Sequence, residues 1–206
     1  MPNTHKLSVM LMALLIAALA LPGPALAQFS DSFKFLEAVR KKDRKAASDL
    51  LEKGSPNLVN TKDLTSGDTA LHISTRRRDL TWMLIVLGEG ANVNASNSNG
   101  ETALDVAVNV GFIEGVELLV GRGAAVDTRN RTGETPLITA VHNRDIGLMR
   151  LLLRAGADPD RADSSGRSAR DYAAIDAKSA LLLKELKDSA RPKAKPGQAK
   201  PMFGPK

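Results

Sequence analysis

Apolar residues recur three and four apart in short runs along most of the chain, and the runs themselves recur. Leu80, Met83, Val86 and Leu87 form one stripe, Ile113, Val116, Leu119 and Val120 a second, and Ile146, Met149, Leu152 and Leu153 a third. Each predicts the buried face of an amphipathic helix. A shorter helix is expected before each stripe, near 69–77 with Leu71 and Ser74 facing inward, then around Leu104 and Ala107, and around Leu137 and Ala140. Thr69 is a natural N-cap for the first of them. Gly67, Gly100, Gly133 and Gly166 mark the period at 33 residues, and Gly90-Ala91, Gly123-Ala124 and Gly156-Ala157 keep the same spacing. Such self-similarity means an all-α stack of helix-turn-helix units, because one unit cannot bury its apolar face alone.

The residues after the ladder glycines carry more than periodicity. They read Thr69-Ala-Leu-His-Ile-Ser74 and Thr135-Pro-Leu-Ile-Thr-Ala140, and the helix pairs end in Gly90-Ala-Asn-Val-Asn94 and Gly123-Ala-Ala-Val-Asp127. The pattern resembles the ankyrin repeat from about Phe33 to Leu186. The resemblance implies a solenoid with β-hairpin-like fingers, and a role as a binding scaffold.

The units are then laid out as an N-terminal capping pair over 30–65, repeats at 66–98, 99–131 and 132–164, and a C-terminal capping repeat at 165–190. In the first, Ser30-Asp31-Ser32 is expected to cap a helix carrying Phe35, Leu36 and Val39, with a second helix over Ala46, Ala47, Leu50 and Leu51 ending before Gly54. Ala38 precedes Ala107 by 69 residues, three more than two periods, so 55–65 holds a three-residue insertion. In the last unit Arg170 stands where Leu71, Leu104 and Leu137 stood, and Leu181, Leu182, Leu183 and Leu186 form a stripe in shifted register. A polar substitution on an end unit is expected of a cap. Residues 191–206 are basic and proline-rich without apolar period, which predicts disorder.

Residues 1–27 read as a secretory signal: His5-Lys6, an apolar run from Leu7 to Leu21, Pro22-Gly-Pro24, then Ala25-Leu-Ala27. The rival is a membrane anchor, but such a run as helix spans only about 22 Å against a hydrocarbon core of about 30 Å. No stable membrane insertion is expected after cleavage, and the expected location is periplasmic or secreted. The chain has no cysteine, so neither a thiol-linked lipid nor a disulfide assists the fold.

Charge adds little once it is located. The net +6 is matched by Lys6 in the leader and Arg191, Lys193, Lys195, Lys200 and Lys206 in the tail. A balanced body gives no general attraction to phosphate, and no nucleic-acid partner is expected. Only seven aromatic residues are present, which suits thin helix pairs packed through Leu, Val, Ile and Ala.

Candidate chemistry is sparse. With no cysteine, no Gly-rich phosphate loop, no Gly-x-Ser-x-Gly and no His-Glu-x-x-His, catalytic, metal and cofactor residues are all expected to be none. His72 holds the signature histidine position, which the resemblance makes a structural hydrogen-bonding residue. Its fellow His142 is two repeats away, too far to share a metal. Trp82 is either a packing residue or a partner anchor. Asp68, Glu101 and Glu134 share one rank before successive helices, as helix-dipole partners or as an acidic ladder. Arg76-Arg-Arg78 and Arg40-Lys-Lys42 share another, as helix-end cations or as a basic patch. Gly111 suits a left-handed reversal between two helices, where the matching residues are Arg78 and Arg144. Asn94-Ala-Ser96 matches a glycosylation sequon and nothing further supports it.

The resemblance places the contact surface on the fingers and the exposed ends of the first helices. By rank these are Thr65, Ser66, Asp68, Arg76 and Arg77; Ser98, Asn99, Glu101, Asn109 and Val110; and Arg131, Thr132, Glu134, His142 and Asn143. Val110 is apolar among polar ranks, and Arg77→Glu and Val110→Asp are expected to weaken binding without lowering the melting temperature. The expected function is a non-enzymatic, monomeric, exported scaffold binding a protein partner in its own compartment through the concave face and finger tips. The alternative is an envelope-associated factor held to anionic surface polymer or lipid by the basic tail.

Overall fold

A computed structural model describes residues 24–55 and 57–175 with Lys184, Leu186 and Lys187, and side chains from Asp31 onward. The leader to Gly23, Leu181–Leu183 and the basic tail lie outside the described residues. The described elements are α1 (Pro24–Lys41), α2 (Arg44–Lys53), a 3-10 turn (Leu58–Asn60), α3 (Ala70–Arg76), α4 (Leu80–Gly88), α5 (Ala103–Asn109), α6 (Ile113–Gly121), α7 (Pro136–His142), α8 (Ile146–Arg154) and α9 (Ala169–Ile175). The chain divides into two compact units at Ser98/Asn99.

In the first unit α1 pairs with α2 and α3 with α4, while α1 also packs on α3. Phe35, Val39, Leu71, Met83 and Val86 are its buried centre. In the second unit α5 pairs with α6 and α7 with α8; α7 lies between α5 and α9, and α6 against α8. Leu104, Val116, Leu119, Leu137, Met149 and Leu152 fill that core, each without measurable exposure.

Local chemistry fixes the helix ends. Thr102 and Thr135 accept the N–H groups of Asp105 and Ile138, and Asp43, Asp79 and Asp145 accept those of Ala46, Trp82 and Leu148 at 2.9, 3.2 and 2.9 Å. Each accepts one of the donors that a helix start leaves without an intrahelical partner. At this second rank Phe112 replaces the aspartate, and its ring occupies the space over Gly115, where an added Cβ would lie 2.4 Å from it. Trp82 and Leu148 stand at the rank of Gly115, and both are buried. Trp82 is therefore a packing residue, 6% exposed.

Within each helix pair the reversal repeats one geometry. Lys42, Arg78, Gly111 and Arg144 have φ of 61, 54, 65 and 54°. The following residue donates back to the first helix each time: Asp43 to Ala38, Asp79 to Ser74, Phe112 to Ala107 and Asp145 to Ala140, at 2.9–3.0 Å. These Schellman-type bonds hold three cationic residues in the left-handed region that Gly111 occupies without a Cβ penalty.

Two expectations need correction. The first helix starts at Pro24 and runs through Ser30-Asp31-Ser32, so those residues do not cap it. Proline's fixed φ suits a first helical turn, and no glycine or further proline interrupts the helix up to Lys41. Leu80 and Ile113 are 38% and 41% exposed, because the buried face begins two residues later, at the rank of Trp82, Gly115 and Leu148, and continues through the expected Met83, Val116 and Met149. The connecting fingers are turns closed by backbone bonds, Asp63 to Asp68 O, Asn130 to Glu134 O and Asp163 to Arg167 O, with bridge residues at Ser96 and Thr102 and no longer strand among the described residues.

Candidate functional site

The fingers are built by Asx turns. Asp63 Oδ1 accepts the N–H groups of Thr65 and Ser66, both at 2.9 Å; Asn130 Oδ1 accepts those of Thr132 and Glu134 at 3.0 and 2.9 Å; Asp163 Oδ1 accepts those of Ser165 and Arg167 at 2.8 and 3.1 Å. A short polar side chain that bonds its own following backbone fixes a turn where helix or sheet offers nothing. The N–H of Ser66 and then Arg40 hold the Asp63 carboxyl far below the usual carboxylate range, and the Tyr172 hydroxyl and Ser165 do the same for Asp163.

Neighbouring fingers are then tied backbone to backbone. In the first unit Ser98 N–H donates to Ser66 O at 3.0 Å. In the second, Arg131 donates to Asn99 O at 2.9 Å and Ser164 to Thr132 O at 3.2 Å. The Arg129 guanidinium donates to Ala162 O as well. Candidate residues Ser66, Ser98, Asn99, Arg131 and Thr132 are thus positioned through their backbones, and the Ser66 and Thr132 hydroxyls are engaged within their own fingers as well, donating to Asp63 Oδ1 at 3.2 Å and Asn130 Oδ1 at 2.7 Å.

The candidates divide by what their side chains do. Thr65, Ser98, Asn99, Asn109, Arg131, Thr132, His142 and Asn143 are exposed; Ser66, Glu101, Val110 and Glu134 are half-buried. Asp68 is buried, takes Asn97 Nδ2 at 2.9 Å and pairs with Arg76 at 3.2 Å. Asp68 is thereby withdrawn from the surface, while Arg76 stays exposed with its guanidinium committed to that pair. Arg77 donates to Val39 O and Arg40 O at 2.9 and 2.7 Å, closing the carbonyl end of α1. Arg77→Glu is therefore no silent surface change, contrary to expectation, since it reverses a charge favoured by the helix dipole and removes two donors. Val110 caps α5 and is half-buried, so its apolar side chain is partly accounted for by packing.

The basic run of the first unit is likewise engaged: Arg40 with Asp63 at 2.5 Å, Lys41 with Glu37 at 3.3 Å and Lys42 with Asp79 at 2.7 Å. A patch neutralised by its own acids offers little field to a partner. The acidic rank is no continuous ladder either, with Asp68 buried and Glu134 taking Thr132 Oγ1 at 3.2 Å.

His72 is wholly buried, its Nδ1 taking Thr69 N–H at 3.3 Å and facing Thr69 Oγ1 at 2.9 Å. One period on, Asp105 does the same work with Thr102, at 2.8 Å to its N–H and 2.7 Å to its hydroxyl. Burial pushes the Asp105 carboxyl above its ordinary value of 3.8. A folded-state value above the unfolded one means a stabilising contribution that is present at acid pH and lost as pH rises through the carboxylate range. Asp105→Asn, which keeps the accepting oxygen, is expected to leave the neutral-pH melting temperature unchanged or higher and to remove this part of the pH dependence. Melting curves of variant and parent from pH 3 to 7 check it, and a lower neutral melting temperature in the variant refutes it.

One cluster went unread in the sequence. Tyr172, the only tyrosine, packs edge-on to His142 with ring centroids 4.4 Å apart, and donates to Asp163 Oδ2 at 2.7 Å. His142 Nδ1 lies 3.5 Å from Glu134 Oε1. The one available signal was the aromatic at a rank held elsewhere by Ile73, Val106 and Thr139. Among the described residues no group of three or more His, Asp or Glu is placed to hold a metal, and no helix is long and apolar enough to cross a membrane.

Short helix pairs at a 33-residue period, joined by fingers bonded to one another, define a helical-repeat protein. A family model of ankyrin repeats in three copies matches residues 35–130, and another, of ankyrin repeats in many copies, matches 118–173. The chain belongs to the ankyrin repeat family, whose repeats are in general protein–protein interaction modules and whose members are typically non-enzymatic scaffolds. No curated protein matches it significantly.

Proposed function

We propose that this chain is an exported, non-enzymatic scaffold that binds a partner protein in its own compartment through hairpin-like fingers and first-helix ends lining a concave face. The observation that carries the reading is the division of labour in the second unit. There Arg131 and Asn109 are exposed at the finger and first-helix ranks with no side-chain bond of their own to the fold, while Thr132 and Asn143 are exposed beside them. A backbone already fixed by its own bonds has no ordering left to undergo on binding, so only the rotamers of the contacting side chains remain to be fixed.

Crosslinking of the native chain supplies the partner, and capture by variants tests the surface. Arg131→Glu and Asn109→Arg are expected to weaken capture at least tenfold, about 1.4 kcal/mol, with the melting temperature unchanged. Glu117→Lys, exposed on the second helix α6, is expected to leave capture alone. The surface assignment fails if the α6 change abolishes capture and the other two do not.

Export rests on the leader and the alanines before Gln28. The expected mature N-terminus is Gln28, four residues into α1 as the full chain presents it. N-terminal sequencing of periplasmic or secreted material checks it, and material retaining residues 1–27 refutes it.

A further inference from the structure

The rank before each ladder glycine is held by Ser66, Asn99, Thr132 and Ser165. The glycines themselves are fixed by the fold, since Gly67, Gly100, Gly133 and Gly166 close the fingers with φ of 70, 74, 81 and 81°, a conformation that side chains oppose. Asn99-Gly100 is thus the place where this architecture sets a side-chain amide directly before an obligatory glycine, and no other Asn-Gly pair occurs in the chain. Asn99 is exposed and Gly100 half-buried, so water reaches the pair.

An asparagine side chain readily meets the backbone N–H groups that follow it, as Asn130 does here with those of Thr132 and Glu134. When the next residue carries a Cβ, that atom obstructs the approach of the asparagine Cγ to the next nitrogen; glycine removes the obstruction. Exposure alone does not distinguish Asn99, because Asn92 and Asn94 are exposed too, but they precede Val93 and Ala95. Asn97 is buried, and its amide donates to Asp68 at 2.9 Å.

We propose that Asn99 is a self-modification site, at which the Gly100 nitrogen closes on the Asn99 side chain and water then converts the ring to isoaspartate or aspartate. The Gly100 N–H gives up its proton and its nitrogen attacks Asn99 Cγ. The new C–N bond replaces the bond from Cγ to Nδ2, which leaves as ammonia with that proton, and a succinimide remains. Water then adds to one of the two ring carbonyls. Opening at Cγ gives aspartate on the original main chain, whereas opening at the main-chain carbonyl carbon gives isoaspartate. In isoaspartate the chain runs on through Cβ and Cγ, one carbon longer, and the former main-chain carbonyl becomes a free carboxylate. That carbonyl holds Asn99 O, the acceptor of the Arg131 N–H at 2.9 Å. Isoaspartate therefore unfastens this finger from the next and sets a negative charge among the contact candidates. The inference goes beyond the scaffold reading and does not depend on it.

The test ages the full-length chain at physiological temperature and cuts it after glutamate, which releases residues 90–101 as one peptide carrying Asn92, Asn94, Asn97 and Asn99. Mass spectrometry with fragmentation is expected to place conversion of amide to acid at Asn99, with isoaspartate among the products, the other three still amides and the unaged chain unconverted. Conversion is expected to be faster at alkaline than at mildly acid pH, because the attacking nitrogen must lose its proton. The isoaspartyl fraction, separated by its added charge, is expected to melt about 2–4 °C below the parent, the shift that one lost hydrogen bond gives in a chain of this size. Freshly made Asn99→Asp, with the charge but the unaltered main chain, is expected to melt with the parent. Asn99 still an amide after several half-lives of the free 90–101 peptide, Asn94 converting as fast as Asn99, or an isoaspartyl fraction that melts with the parent overturns the proposal.

Discussion

Leu119→Ala is expected to cost about 2–5 kcal/mol, the range for emptying a buried leucine site that cannot collapse. Leu119 has no measurable exposure and lies on α6, which packs both on its own partner α5 and on α8 of the next repeat. A void there loses contacts on two sides, and stacked repeats are stabilised largely by such nearest-neighbour interfaces. Ile113→Ala on the same helix supplies the contrast: Ile113 is 41% exposed, and its loss should cost about 1 kcal/mol or less. Urea unfolding of both variants, read as a shift in midpoint at constant slope, measures the difference. A Leu119→Ala cost below about 0.5 kcal/mol, the level of a neutral surface change, would mean that α6 turns another face inward.

That contrast also shows what the sequence could tell. Spacing alone placed the helix pairs, because a 33-residue period is carried by glycines that hold positive φ at the turns. It also put the first-helix residues Leu71, Leu104 and Leu137 in the core, where they lie. The start of the second-helix stripe was misread by two residues because those helices are apolar around much of their circumference. In α4, Leu80–Gly88, only Thr81 carries a polar side chain, so periodicity there could not choose between Leu80 and Trp82.

Candidate contacts were legible by rank but not by duty. Asp68, Arg76 and Arg77 look like surface charge in the sequence, and only three-dimensional neighbours show that Asn97 and the last carbonyls of α1 claim them. Sequence separation hides such bonds: Asp68 and Asn97 are 29 positions apart, and Arg77 and Val39 38. The reversal residues were the opposite case, since matching Arg78 and Arg144 to Gly111 was enough to anticipate their positive φ.

The finger-to-finger bonds give the second large effect. Gly133 and Gly166 share the same φ, +81°, so alanine at either position meets the same left-handed penalty of about 1–2 kcal/mol. Their surroundings differ. A Cβ on Gly133 would lie 2.4 Å from Ser164 Oγ and 2.6 Å from Ser164 N, whereas one on Gly166 meets nothing within 4 Å. The Ser164 hydroxyl can rotate away, but its backbone nitrogen is held by the bond to Thr132 O, and that bond must open to admit the methyl group. Gly133→Ala should therefore cost about 1 kcal/mol more than Gly166→Ala, the net worth of one backbone hydrogen bond. It should also free the finger that carries Arg131 and Thr132, so partner capture weakens together with stability. Paired urea titrations of the two variants measure the difference. Equal losses at the two glycines would show that the bond between these fingers contributes nothing measurable, and that the finger surface owes its position to the Asx turns alone.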